Sequence, residues 1–93
     1  MITIDSTLRV PEDVLFHELS GEAVILNLVS GKYYGLDEVG TRMWTLLSEH
    51  GRLEPAYRAL LEEYDVDQER LQADLIKLVE DLSAQGLVQV DEA

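Results

Sequence analysis

The sequence has no cysteine, so it can form no disulfide framework, thiolate nucleophile, redox pair or cysteine zinc site. Basic residues are scarce: seven Lys and Arg stand against nineteen Asp and Glu, a formal charge of −12. That balance argues against a nucleic-acid partner, because affinity for phosphates comes from clustered Lys and Arg. It equally opposes adsorption to an anionic membrane. Long apolar runs are also missing. The longest, Ala23 to Leu26, is far short of the ~20 residues of a membrane span. The N-terminus has neither the basic start nor the apolar stretch of a signal peptide. Proline occurs only twice, and no Gly-, Ser- or Pro-rich linker or internal repeat divides the chain. With 46% hydrophobic residues over 93 positions, the composition is that of a packed domain and not a disordered tail. Residues 1–93 therefore read as a single domain, with a reducing cytoplasm as the simplest location.

The period of the hydrophobic pattern splits the chain in two. Thr7-Leu8-Arg9-Val10 is a short strand candidate stopped by Pro11, and Val14 to Leu19 is a second. Ala23 to Val29 is apolar on both alternating faces, as in a strand that is central or covered on both sides. Ser30-Gly31 supplies a turn, and Lys32-Tyr33-Tyr34-Gly35-Leu36 returns as a hairpin partner. Asp37 then caps a helix with Val39, Met43, Leu46 and Leu47 on its core face, widened by Trp44 and stopped at Gly51. Gly40 inside this helix reads as a point of tight packing. A second helix spans about Leu53 to Tyr64, with Pro55 in its first turn, and a third runs from an Asp67 cap to near Gln85, with Gly86 as its stop. Leu87 to Val90 forms a terminal strand or packs back on the core. Strands followed by helices give an α+β domain, with helices on one side of a small antiparallel sheet.

Catalytic chemistry finds no footing. His17 lies in a predicted strand and His50 at a helix end beside Gly51, and they share no metal-ligand spacing. The pairs Glu62-Glu63 and Glu80-Asp81 read as solvated surface. The stretch Asp65 to Glu69 lacks the glycine and the terminal glutamate of a calcium loop. No phosphate-cradling glycine loop or nucleophile elbow occurs, so neither a metal nor a cofactor is expected. The second and third helices, tightly joined, resemble a helix-turn-helix. The third carries only Arg70 and Lys77 against Asp67, Glu69, Asp74, Glu80 and Asp81, and DNA would repel it. A winged-helix transcription regulator is therefore the weaker reading.

A surface for a peptide or protein remains. On a helical wheel, Leu71, Leu75, Leu78 and Leu82 make one core stripe, while Ile76 and Val79 lie roughly 80° to 140° around from Leu71. Either a small domain buries this second patch against its sheet or terminal strand, or it walls a groove beside an exposed strand edge. Lys32 to Leu36 supplies that edge if it ends the sheet, and an extended peptide can add there as a strand. Tyr33 and Tyr34 point to opposite faces, and the sequence leaves open which is inward. Gly35 marks either a close backbone approach or a bulge.

The stretch from Val24 to Trp44 resembles the PqqD family: a hydrophobic strand, a Ser-Gly-Lys turn at Ser30 to Lys32, Tyr33-Tyr34-Gly35-Leu36, then Asp37 with Val39-Gly40 and a later Trp44. Tyr64-Asp65-Val66-Asp67 opening the last helix and Leu82 to Val88 closing it also fit, so the likeness covers about Leu8 to Val90. The resemblance implies a RiPP recognition element, a winged-helix-like domain with a three-stranded antiparallel sheet followed by three helices. Such domains bind the leader of a ribosomally made precursor peptide by strand addition. Carried over residue by residue, the edge is Lys32, Tyr33, Tyr34, Gly35 and Leu36, and the helix wall is drawn from Leu75, Ile76 and Val79. The Tyr-Tyr-Gly-Leu-Asp form looks most like the discrete leader-binding proteins of lasso-peptide biosynthesis. These work without catalysis of their own beside a leader peptidase and a macrolactam synthetase. A peptide chaperone for another RiPP or for pyrroloquinoline quinone synthesis is the alternative within the family, and an enzyme-activating subunit that never touches the precursor is a further rival.

Overall fold

Period-two alternation in the first third of the chain folds as a β-meander, and the longer period beyond it as three helices. The computed structural model describes residues 1–91. Its elements run β1 (Thr7–Arg9), β2 (Val14–Leu19), β3 (Glu22–Asn27), β4 (Tyr33–Leu36), α1 (Glu38–His50), α2 (Leu53–Glu63), α3 (Gln68–Ala84) and β5 (Gln89–Asp91). Strands β2, β3 and β4 form a three-stranded antiparallel sheet with β3 at its centre, in the register Phe16↔Ile25↔Tyr34. Alternation turns Val14, Ala23, Ile25 and Leu36 into the core. Of the two arrangements that its apolar pattern allowed, β3 takes the central one and not cover on both sides: among the described residues the opposite face carries no helix, and Val24 is exposed.

The central strand also ends earlier than its apolar run. Asn27 Oδ1 accepts the N–H groups of Val29 at 2.9 Å and Ser30 at 3.1 Å, which draws the backbone out of the ladder two residues before Val29. Gly31, at φ 76°, then donates its N–H to the Asn27 carbonyl at 2.8 Å and closes the turn.

Local signals set the ends of α1. Asp37 Oδ1 accepts the Gly40 N–H at 2.7 Å, and the chain leaves the helix at Gly51, whose N–H reaches the Leu47 carbonyl. A Cβ at residue 40 would come within 3.2 Å of the Leu36 and Asp37 side chains, a tight contact that glycine avoids. Inside, Trp44 stacks on Phe16 with ring centroids 6.0 Å apart. Helix α2 buries Leu53, Ala56 and Leu60, and α3 buries Leu71, Leu75, Leu78, Val79 and Leu82. Asp67 occupies the cap position of α3, yet its side chain makes no capping bond.

The Thr7–Val10 segment does not join the meander. It pairs with the tail instead, β1 against β5 in the register Leu8↔Val90, and Arg9 donates a hydrogen bond to Gln89. Buried Leu87 and Val88 lead into that pairing. Asn27 Nδ2 donates to the Gly86 carbonyl at 3.0 Å and ties the β3–β4 turn to the end of α3. Among the described residues, no helix is long and apolar enough to cross a membrane.

Candidate binding groove

Among the described residues strand β4 pairs only with β3, so one of its edges is free of any other strand. The phase of the ladder decides which groups face that edge. Asn27 N–H donates to the Lys32 carbonyl at 2.9 Å, which makes residues 27 and 32 a hydrogen-bonded pair. Such pairs recur every second residue in an antiparallel ladder. Tyr34 and Leu36 therefore turn their backbone groups to β3, while Tyr33 and Gly35 present N–H and C=O outward. A Cβ at Gly35 would meet nothing within 4 Å, and its φ lies outside the left-handed region. The position is an open approach and not a bulge.

Side chains alternate in step. Tyr33 is 72% exposed on the helix-free face, and Tyr34 is the inward one, half-buried, with its hydroxyl 3.4 Å from Asp81 Oδ2 on α3. Burial raises the Tyr34 hydroxyl above the ordinary tyrosine value, and the Asp81 charge and hydrogen bond push the same way. This contact sets α3 beside the free edge of β4. Lys32 stands just before the strand, fully outside the core.

The helix wall differs from the sequence expectation. Leu75 and Val79 have no exposed surface, so both belong to the core and neither can touch a guest chain. Ile76 is half-buried on the far flank, one turn after Gln72, which lines a hollow with Ile4, Tyr57 and Leu61. The flank toward β4 is the opposite one. Arg70, Asp74, Lys77 and Asp81 recur there at i, i+4, i+7 and i+11, roughly 60° to 120° from Leu71 on the other side of the wheel. Arg70 and Asp74, and again Lys77 and Asp81, stand 4.0 Å apart as exposed i,i+4 pairs. Water screens such pairs, which leaves their charges available to a ligand.

At the α1 end of this flank is an apolar hollow of about 130 Å³, lined by Val39, Met43, Tyr64, Val66, Leu71 and the stem side of Arg70 and Asp74. Val39, expected in the core, is 43% exposed and lines this hollow. Val66 is likewise exposed, in the α2–α3 link. The hydrophobic pattern puts Val39 on the core face of α1, and of this charged stripe only Asp81, with Glu80, reads as solvated surface. The usable signals were an apolar Val66 in a polar link and the alternating signs along 70, 74, 77 and 81.

The strand residues Tyr33, Tyr34, Gly35 and Leu36 are thus brought together along one edge, with the charged flank of α3 beside them and the hollow at one end. Among the described residues no group of three His, Asp or Glu side chains is placed to hold a metal ion.

Comparison with solved structures fits this geometry. TbiB1 in complex with the TbiA(beta) leader peptide is 34% identical, with a TM-score of 0.81 over 87% of this chain and 94% of that one. A lasso peptide synthetase B1 complexed with its leader peptide shares the fold at 20% identity, with a TM-score of 0.79 over 89% of this chain and 98% of that one. No curated protein sequence matches the chain. The family described as coenzyme PQQ synthesis protein D (PqqD) matches residues 22–88, from the start of β3 through α3 to Val88. With most of its length inside that match and a 34% identical relative of the same fold, the chain belongs to the PqqD family.

Proposed function

We propose that this protein binds the leader segment of a ribosomally synthesised precursor peptide and presents the precursor to modifying enzymes in lasso-peptide biosynthesis. The leader adds as a fourth strand on the free edge of β4 and lies against α3. The protein itself is non-catalytic, and the enzymes it serves are a leader peptidase and a macrolactam synthetase in the cytoplasm. The observation that carries this reading is the open backbone of Tyr33 and Gly35 beside an unfilled flank of α3. The leader complexes of its structural relatives support it, since TbiB1, of closely similar fold, is in complex with the TbiA(beta) leader peptide.

The edge gives affinity without choice. Four outward N–H and C=O groups contribute about 0.5–1.5 kcal/mol each when bonded. An apolar leader side chain entering the Val39–Leu71 hollow adds about 1.5–3 kcal/mol and depends on sequence. Ordering the leader costs roughly 2–5 kcal/mol. Calorimetric titration with the leader from the same biosynthetic cluster tests the reading. Saturable binding that vanishes with a scrambled leader is expected. Binding of the peptidase without any binding of the leader would instead support the enzyme-activating subunit.

A further inference from the structure

The β4 edge and the α3 flank can hold one extended chain together only if the distance between them is set. Backbone packing does little to set it: α3 runs close to α2 and hardly approaches β4. Apolar side chains of the sheet and of α3 meet in the core, but such contact is non-directional and lets a helix slide over a sheet. The directional ties are side-chain hydrogen bonds, and among the described residues two join the β3–β4 hairpin to the α3 segment. Tyr34 reaches Asp81 at 3.4 Å, a long contact to a carboxylate that also faces Lys77 at 4.0 Å. Asn27 Nδ2 donates to the Gly86 carbonyl at 3.0 Å, just past the end of the helix. The second tie is the tighter one.

Both ends of that tie are fixed. The backbone of Asn27 bonds to Lys32 and Gly31, and its Oδ1 accepts the N–H groups of Val29 and Ser30, so the residue shapes the turn that leads into β4. These partners also settle the amide orientation, since a flip would set its NH2 against two N–H donors and its oxygen against a carbonyl. Gly86 donates its N–H to the Ser83 carbonyl at 3.1 Å, and buried Leu87 follows with a bond to the Leu82 carbonyl at 2.9 Å. We propose that Asn27 is a positioning residue for leader binding: by joining the β3–β4 turn to Gly86 it presets the spacing between the β4 edge and the α3 flank. One leader then pairs with the edge and packs on the helix without first ordering the groove, which raises its affinity. The proposal rests on the leader-binding reading above and adds to it a residue outside both the edge and the helix wall.

The variant Asn27→Asp separates the two roles of the side chain. One carboxylate oxygen still accepts the Val29 and Ser30 N–H groups, while the other faces the Gly86 carbonyl with no proton between them, and two acceptors repel. The melting temperature is expected to stay within a few degrees of the parent, and leader affinity to fall about tenfold by calorimetry. Two leader peptides with alanine at alternate positions tell positioning from general weakening of the fold, because period two sends one set of side chains to α3. The peptide that keeps the α3-facing set should lose about tenfold in the variant, and the other should bind variant and parent alike. Equal losses for both peptides overturn the proposal, and so does undiminished leader binding by the folded variant.

The spacing itself is read without any leader. Since the chain has no cysteine, Val29→Cys/Glu80→Cys places spin labels only on the exposed turn and the exposed side of α3. The parent should show one narrow distance that leader addition does not change, and Asn27→Asp should broaden it. A parent distance that is broad and narrows only with leader overturns the preset groove, whether or not the variant folds. If no leader binds the parent, the leader-binding reading fails, and the distances in the free proteins still decide whether Asn27 sets the spacing.

Discussion

Replacing Gly35 by proline separates edge pairing from every other use of β4. The Gly35 N–H points away from β3, so proline removes no bond of the native ladder. Edge strands tolerate proline where the lost N–H faces solvent, and Tyr34 before it is already extended, as a residue preceding proline must be. A Cβ at this position meets no atom within 4 Å beyond its chain neighbours on the free protein. The fold should survive with a melting temperature within a few degrees of the parent. A leader strand, in contrast, loses one hydrogen bond worth about 0.5–1.5 kcal/mol and is left with a carbonyl lacking its donor, which costs about 1–3 kcal/mol more. The sum, about 1.5–4.5 kcal/mol, corresponds to a loss of roughly 10-fold to 2000-fold in Kd. Calorimetry or fluorescence anisotropy with a labelled leader reads this directly, with circular dichroism on the same sample. Gly35→Ala is the control, since it keeps the N–H and should bind within a few-fold of the parent. A Gly35→Pro protein that folds and binds the leader as the parent does would refute strand addition on β4.

The core and groove flanks of α3 should respond oppositely: Val79→Glu unfolds the domain by circular dichroism, whereas Val39→Glu leaves melting unchanged and weakens the leader by about 1.5–3 kcal/mol. A folded Val79→Glu protein would return that residue to the groove. In the folded protein the Tyr34 hydroxyl holds its proton above the ordinary value of 10.0, chiefly through burial. Its contribution to stability is therefore complete below about pH 10 and is lost as pH rises through the folded-state value. Tyr34 should ionise late in an ultraviolet titration, and Tyr34→Phe should abolish that phase. Arg42 binds Glu63 through two hydrogen bonds, at 2.7 and 2.6 Å, and these hold the carboxyl below its ordinary 4.5. The pair stabilises above that pH and its contribution fades as pH falls through the lowered value, so Glu63→Gln should flatten the acid limb of the melting-temperature profile and leave its alkaline limb in place.

What the sequence made legible was local. Asp37 with Gly40, the left-handed stop at Gly51 and the turn at Ser30-Gly31 each act over a few residues, and each stands where the residue types require. The β3 boundary failed for an equally local reason: hydropathy continued through Leu28 and Val29, but the Asn27 side chain had already captured the N–H groups of Val29 and Ser30. The helix wall failed for a non-local one. An amphipathic helix announces its core stripe, but which of the two flanks is left open depends on distant segments. Here Ile4 and the α2 residues Tyr57 and Leu61 lie toward the Gln72 side of α3, and β1 pairs with a strand some eighty positions away. No wheel contains that information. The hollow was invisible for the same reason, since it is assembled from α1, the α2–α3 link and α3.

The shortness of β4 has a consequence for how a leader is chosen. Four residues at about 3.3 Å each give an edge of roughly 13 Å, and only Tyr33 and Gly35 offer backbone groups along it. Backbone pairing is the same for every sequence, so discrimination must come from what lies beside and beyond the edge. Beside it, α3 offers alternating charge, Arg70, Asp74, Lys77, Asp81, which rewards a leader with a matching order of charges and penalises a reversed one. Beyond it, the hollow of about 130 Å³ offers a largely apolar pocket three residues past Leu36, at the first turn of α1. A chain that fills both must run past the end of the strand while staying extended. The α1 cap makes this possible: Asp37 turns the protein's own backbone away into the helix at the point where a guest needs to continue.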